Sequence, residues 1–175
     1  MKNTFLCLAL SIIVTAASAQ SARRSSARPI NKSGFSIGLE AGLPVGENAK
    51  PYGSVIGGSL QYETMPDPEI GITFGGGYLS YNLKSMYGDG SVGFVPLMAG
   101  IKYYAAPDVF FHAQLGAAVG TKSGQGTSFA YAPGIGYKFS PTVDAELKYM
   151  GISNKAGSIN NVGVRLGFNF KKFQV

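Results

Sequence analysis

The sequence predicts an all-β fold, an eight-stranded antiparallel up-and-down β-barrel that crosses a membrane. Three observations carry this prediction. Eight segments alternate apolar and non-apolar residues with the period of two that an extended strand imposes. The 175-residue chain is poor in charge (14% Asp, Glu, Lys and Arg) and holds 25 glycines, so its non-apolar strand positions are mostly small. A soluble sheet carries more charge on its wet face, whereas small residues suit a crowded interior. Past the N-terminus no apolar run reaches the roughly 18 residues of a spanning helix, so only a closed barrel would let the chain cross a membrane.

Residues 1–19 read as a secretory signal peptide. Lys2 opens the segment, an apolar stretch follows from about Phe5 to Ala16, and Ala17-Ser18-Ala19 supplies a small-residue cleavage site. The run is too short for a membrane anchor. Cys7, the one cysteine, lies inside the apolar stretch, so the exported chain is expected to have neither disulfide nor thiol chemistry. Residues 20–33 carry Arg23, Arg24, Arg28 and Lys32 among Ser and Ala without apolar periodicity. They read as a flexible periplasmic tail. No nucleic-acid partner is expected for an exported chain.

The barrel is predicted over residues 34–173. Its alternating segments are 35–43, 54–62, 70–81, 94–104, 109–119, 129–139, 143–149 and 162–171. The last is the clearest. Val162, Val164, Leu166, Phe168 and Phe170 share one side, and Gly163, Arg165, Gly167, Asn169 and Lys171 share the other. Most segments approach the length a tilted strand needs to span a bilayer. The connections "ETMPDPE", "AAPD" and "SPT" are tight, while "PVGENAKP", "NLKSMYGDGS", "GTKSGQGT" and "GISNKAGS" are longer. Short turns at one end and long loops at the other are the layout of an outer-membrane barrel. Aromatics gather at strand ends, as interfacial girdles do: Tyr62, Tyr103, Phe111, Tyr137, Phe139 and Phe170 at the periplasmic side, Tyr52, Tyr78, Phe129, Tyr131 and Tyr149 at the outer side. The apolar face is therefore expected to meet lipid and the polar face to line the lumen.

On this architecture, and on segments such as "VPLMAGIKYYA", the chain resembles the small eight-stranded outer-membrane barrels of the OmpX and OmpA-barrel type, in their bacteroidete-like form. The resemblance covers about residues 34–173. It implies residence in the bacterial outer membrane, contact with outer-membrane lipid and lipopolysaccharide, handling by the barrel assembly machinery during biogenesis, and a monomer. The family's last strand usually ends on an aromatic; here Phe173 is out of phase with Phe170.

No catalytic residue, cofactor or metal site is expected. His112 falls on the lumen face, but barrel lipid A deacylases carry His-x-Ser, and this chain reads His112-Ala113-Gln114. Two polar sets remain. Glu40, Lys102, Lys138, Asp144, Glu146, Lys148 and Arg165 face the lumen and are expected to pair rather than conduct, because an eight-stranded barrel is only wide enough for its side chains to fill. Arg165 is expected between Glu40 and Glu146, and Lys138 opposite Asp144. Each long loop carries one lysine, Lys50, Lys84, Lys122 or Lys155, either a collar for lipopolysaccharide phosphates or scattered solvated charge. The expected role is structural or cell-surface interaction without catalysis. The alternatives are a lipid A-modifying barrel enzyme, a narrow channel and a carrier of a small hydrophobic ligand.

Overall fold

The computed structural model describes residues 33–155 and 157–170. The signal peptide, residues 20–32 of the tail and Phe173 lie outside the described residues. Eight strands follow in order: β1 (Gly34–Val45), β2 (Tyr52–Asp67), β3 (Ile70–Leu83), β4 (Ser91–Tyr104), β5 (Val109–Gly120), β6 (Thr127–Lys138), β7 (Val143–Asn154) and β8 (Gly157–Phe170). Each pairs antiparallel with its neighbours, and β1 closes on β8 through a register that runs from Phe35↔Phe170 to Val45↔Asn160. Closure leaves no edge strand among them, so each strand has a backbone ladder on both sides.

The barrel is inside-out relative to a soluble one. Outward-facing Leu97 and Leu115 are 56% and 60% exposed, while inward-facing Glu146 and Arg165 are 1% and 2% exposed. The alternation of β8 places Val162, Val164, Leu166 and Phe168 on the outside, as the sequence predicts. At the periplasmic end Phe35 packs on Tyr62 with ring centres 4.9 Å apart, and Tyr137 packs on Phe139 at 5.2 Å. Toward the outer end Tyr131 stacks between Phe129 and Tyr149. Tyr52 departs from the expected girdle. It packs against Tyr81, an inward residue, with an edge-on ring contact at 5.9 Å.

The strands run further than the alternation alone indicates. β2 continues through Met65, Pro66 and Asp67, with a register shift between Thr64 and Asp67. A proline lacks the ladder N–H and is tolerated where a bulge interrupts pairing. β7 continues through Met150 and Ile152, and the hairpin closes with Asn154 paired to Gly157. The fourth outer connection is therefore short, with Asn154 and Gly157 already paired across it, and is not a long loop. Two of the other outer loops are braced. Residues 46–51 and 84–90 each contain a 3-10 turn, next to Gly46 and Gly88 respectively, both at φ 96°, where a side chain would be strained. Lys84 N–H donates to the Pro51 carbonyl, which ties these two loops together. Asn48 Nδ2 donates to the Ser158 carbonyl and ties the first loop to β8.

Four prolines lie in the strands, Pro44 and Pro66 near strand ends and Pro96 and Pro133 mid-strand, and the last two coincide with gaps in the ladder. The β3–β4 ladder steps from Gly76↔Leu97 to Leu79↔Phe94 around Pro96. The β6–β7 ladder steps from Tyr131↔Gly151 to Gly134↔Lys148 around Pro133. A barrel without edges has nowhere to hide the missing donor.

Candidate functional site

The lumen has two layers. The periplasmic half is charged, and the outer half is apolar. In the charged layer, among the described residues, Glu40, Glu63, Asp144 and Glu146 stand with Lys102, Lys138, Lys148 and Arg165, four formal negative charges with four positive ones. Lys148 Nζ meets Glu40 Oε2 at 2.7 Å, and Lys102 Nζ meets Glu63 Oε2 at 3.1 Å. The Tyr104 hydroxyl donates to the other Glu63 oxygen. Lys102 also sits over the Phe110 ring, 4.6 Å from its centre, and Lys138 over the Tyr104 ring at 4.2 Å. A buried charge is tolerated only with such partners.

Arg165 lies in the expected register but pairs differently. Its backbone partners are Glu40 on β1 and Glu146 on β7. Its guanidinium leans toward the periplasm instead of forking between them. Nε donates to Ser59 Oγ at 3.0 Å, Nη2 donates to Ser36 Oγ at 2.8 Å, and Nη1 lies 3.6 Å from Asp144 Oδ1. Side chains in strands lean along the strand, and here glycine leaves the room. A Cβ on Gly167 would fall 2.6 Å from Arg165 Nη1, and one on Gly38 would collide with Nε. Lys138 and Asp144 are ladder partners, as expected, but the Asp144 carboxylate turns to Arg165 and to Asn169 Nδ2, 2.6 Å away.

Two groups escaped the sequence reading. Glu63 falls just past the predicted end of the second segment. Thr73 is a small inward hydroxyl on β3. With Glu146 it holds His112: Nδ1 is 3.0 Å from Glu146 Oε1, and Nε2 is 2.9 Å from Thr73 Oγ1. An ionised carboxylate only accepts, so Nδ1 carries the proton, and in the neutral ring Nε2 accepts from the Thr73 hydroxyl. Hydroxyl, imidazole and carboxylate in this order resemble an activated nucleophile. All three are buried, Thr73 completely.

Between the layers remains a cavity of about 30 Å³, bordered by Gln61, Gln114, Lys148 and Arg165. Gln61 Nε2 and Arg165 Nη1 have no hydrogen-bond partner among the described residues, and this polar space suits about one or two waters. Above it the lumen is filled by Val55, Leu79, Tyr81, Phe94, Met98, Ala118, Ala130, Ala132, Met150 and Ile152. The Tyr81 hydroxyl is satisfied by Asn161 Oδ1 at 2.9 Å. Lys50, Lys84, Lys122 and Lys155 are all exposed in the outer connections, Lys155 in the short fourth one. The link between Lys84 N–H and Pro51 brings the backbones at Lys50 and Lys84 close together. Among the described residues no group of three or more His, Cys, Asp and Glu is arranged to hold a metal ion.

Comparison with known proteins points one way. A family model for the outer membrane protein beta-barrel domain matches residues 5–171. The crystal structure of Ail, the attachment invasion locus protein of Yersinia pestis, superposes with a TM-score of 0.60 at 21% identity, covering 81% of this chain and all of that one. The N-terminal β-barrel domain of Pseudomonas aeruginosa OprF superposes at 0.58 with 16% identity, covering 80% of this chain and 99% of that one. A de novo designed transmembrane β-barrel superposes at 0.52 with 13% identity, covering 83% of this chain and all of the design. At these identities the likeness is one of fold. Among curated proteins none matches the chain.

Proposed function

Because the chain belongs to the outer membrane protein beta-barrel domain family, we propose that this outer-membrane barrel has a structural or cell-surface interaction role, with a lumen plugged by its own paired charges and no catalysis. The observation that carries the reading is the two-layer lumen: balanced buried charges below, an apolar cap above, and about 30 Å³ left between them. That space is far too small for a continuous aqueous path. Burial also argues against a lipid A-modifying enzyme, since the Thr73 hydroxyl is sealed inside the wall. Planar-bilayer recording tests the plug. The wild-type barrel is expected to show little steady conductance, and Arg165→Ala more. A large open-channel current from the wild type would reject the plug.

The working surface is then the outer rim, and its partners are outer-membrane lipid and lipopolysaccharide. Lys50, Lys84, Lys122 and Lys155 are the cations there, and the braced pair Lys50 and Lys84 offers two ammonium groups to one phosphate region. Changing all four to Gln is expected to weaken lipopolysaccharide binding at low salt, with the difference shrinking as salt rises, because exposed charges are screened. Unchanged binding at low salt would leave them as solubilising charge only. The closed ladder offers no strand edge to a second copy, which supports a monomer. The barrel assembly machinery would engage the chain only during biogenesis.

A further inference from the structure

The apolar half of the lumen ends in a pocket of about 200 Å³ that opens to the outer side. Phe94, Ile152 and Ile159 give its lining an apolar side, and Asn48, Ser128 and Asn154 give it polar groups. The sequence explains why space remains there. The inward residues of β6 at this height, Ser128, Ala130 and Ala132, are small, and so is Ala118 on β5. This wall therefore does not fill the room beside Phe94 and Ile152. No charged side chain lines the pocket, although charges fill the layer below and lysines occupy the loops around it.

These polar groups are held in place. Asn154 Nδ2 donates to Ser128 Oγ at 3.0 Å, and Asn48 Nδ2 is fixed on the Ser158 carbonyl. A hydroxyl has one proton and two lone pairs, so Ser128 Oγ, already accepting, keeps its own proton to donate.

We propose that this pocket binds a single aromatic ring bearing one hydrogen-bond acceptor, with the ring on Phe94, Ile152 and Ile159 and the acceptor on the Ser128 hydroxyl. Size selects the ring. An apolar cavity of about 150 Å³ takes benzene, so this pocket has room for one ring and a substituent. It is smaller than the roughly 300 Å³ at which sites for drug-sized ligands begin. Charge selects against ions, because nothing in the lining would replace their hydration. The open side leaves part of the ring wet, so the affinity is weak, roughly millimolar.

Phenol is the probe, titrated against the protein folded in phospholipid nanodiscs with its isoleucine methyl groups labelled. The expected result is a saturable shift at Ile152 and Ile159, with glucose leaving both unmoved. Ser128→Leu puts a side chain into the space and is expected to weaken binding about tenfold or more. Ile152→Ala enlarges the space, and there the Ile159 signal should respond to 2-naphthol, which the wild type excludes. This second variant carries the test if Ser128→Leu does not fold. Shifts that do not saturate, or that move outward-facing Ile56 and Ile101 equally, would mean partition into lipid and overturn the proposal. Equal phenol affinity in Ser128→Leu, or the same response to glucose, would overturn it as well.

Discussion

Replacing Arg165 by Met is expected to lower barrel stability by roughly 3–5 kcal/mol, the range seen when one partner of a buried ion pair is removed. The methionine keeps much of the side-chain volume beside Gly38 and Gly167, so little of the loss comes from packing. Ser36 and Ser59 lose a donor but remain neutral and can turn their hydroxyls elsewhere. Asp144 is the group left exposed to the change. It is 1% exposed, the guanidinium beside it has gone, and Asn169 still donates to its other oxygen. Adding Asp144→Asn is therefore expected to recover much of the loss. Urea unfolding of the barrel in phospholipid vesicles, followed by the shift between folded and heat-unfolded bands on a gel, measures both. A single variant within about 1 kcal/mol of wild type would contradict the arrangement. Rescue by neutralising Glu40 and Glu146, with none from Asp144→Asn, would place the guanidinium between the glutamates after all.

Leu115→Arg is expected to cost about 2–4 kcal/mol in a bilayer, because Leu115 sits mid-strand on β5 and faces outward, 60% exposed. The same change at Phe111, near the periplasmic end of that strand, is expected to cost only about 0–1 kcal/mol, since the penalty falls with distance from the midplane. The contrast between the two positions is the diagnostic. It separates lipid depth from a general intolerance of arginine on the outer face. The neighbouring Gly116→Arg gives a different kind of failure. Gly116 points inward, and a Cβ there would run into the Leu97 backbone, so even Ala is expected to destabilise. If Leu115→Arg unfolds at the wild-type urea concentration in bilayers, the outward face is not the lipid face.

The strand count and the in–out alternation were legible in the sequence because each rests on a period of two, which needs no knowledge of neighbours. Position along the strands also put Arg165 level with Glu40 and Glu146, its backbone partners. What it could not supply was the lean of a long side chain, which is decided by Gly38 on the neighbouring strand and Gly167 two residues along its own. Glu63 was missed because the stretch through Pro66 and Asp67 reads as a turn, whereas a bulge lets β2 run on as far as Asp67. Thr73 was missed because it meets His112 across β4, a contact between strands that are not adjacent. The end of β7 was misread for another reason. Met150 and Ile152 point inward, and the rule of polar inside, apolar outside holds only for the lower half of this lumen.

The two mid-strand prolines have a mechanical consequence. A ring of hydrogen-bonded strands resists bending most where its ladder is continuous, and Pro96 and Pro133 each remove a donor that continuity requires. They fall on the β3–β4 and β6–β7 seams. The cross-section is thereby divided into a narrow panel, β4 to β6, and a wider one, β7 through β8 and β1 to β3. Lateral pressure from the bilayer would be taken up as rotation of these panels about the two seams, turning a round section oval while the strands stay straight. Backbone amides flanking the prolines would then be the first in the wall to exchange with solvent deuterium, ahead of those in the unbroken β1–β8 ladder.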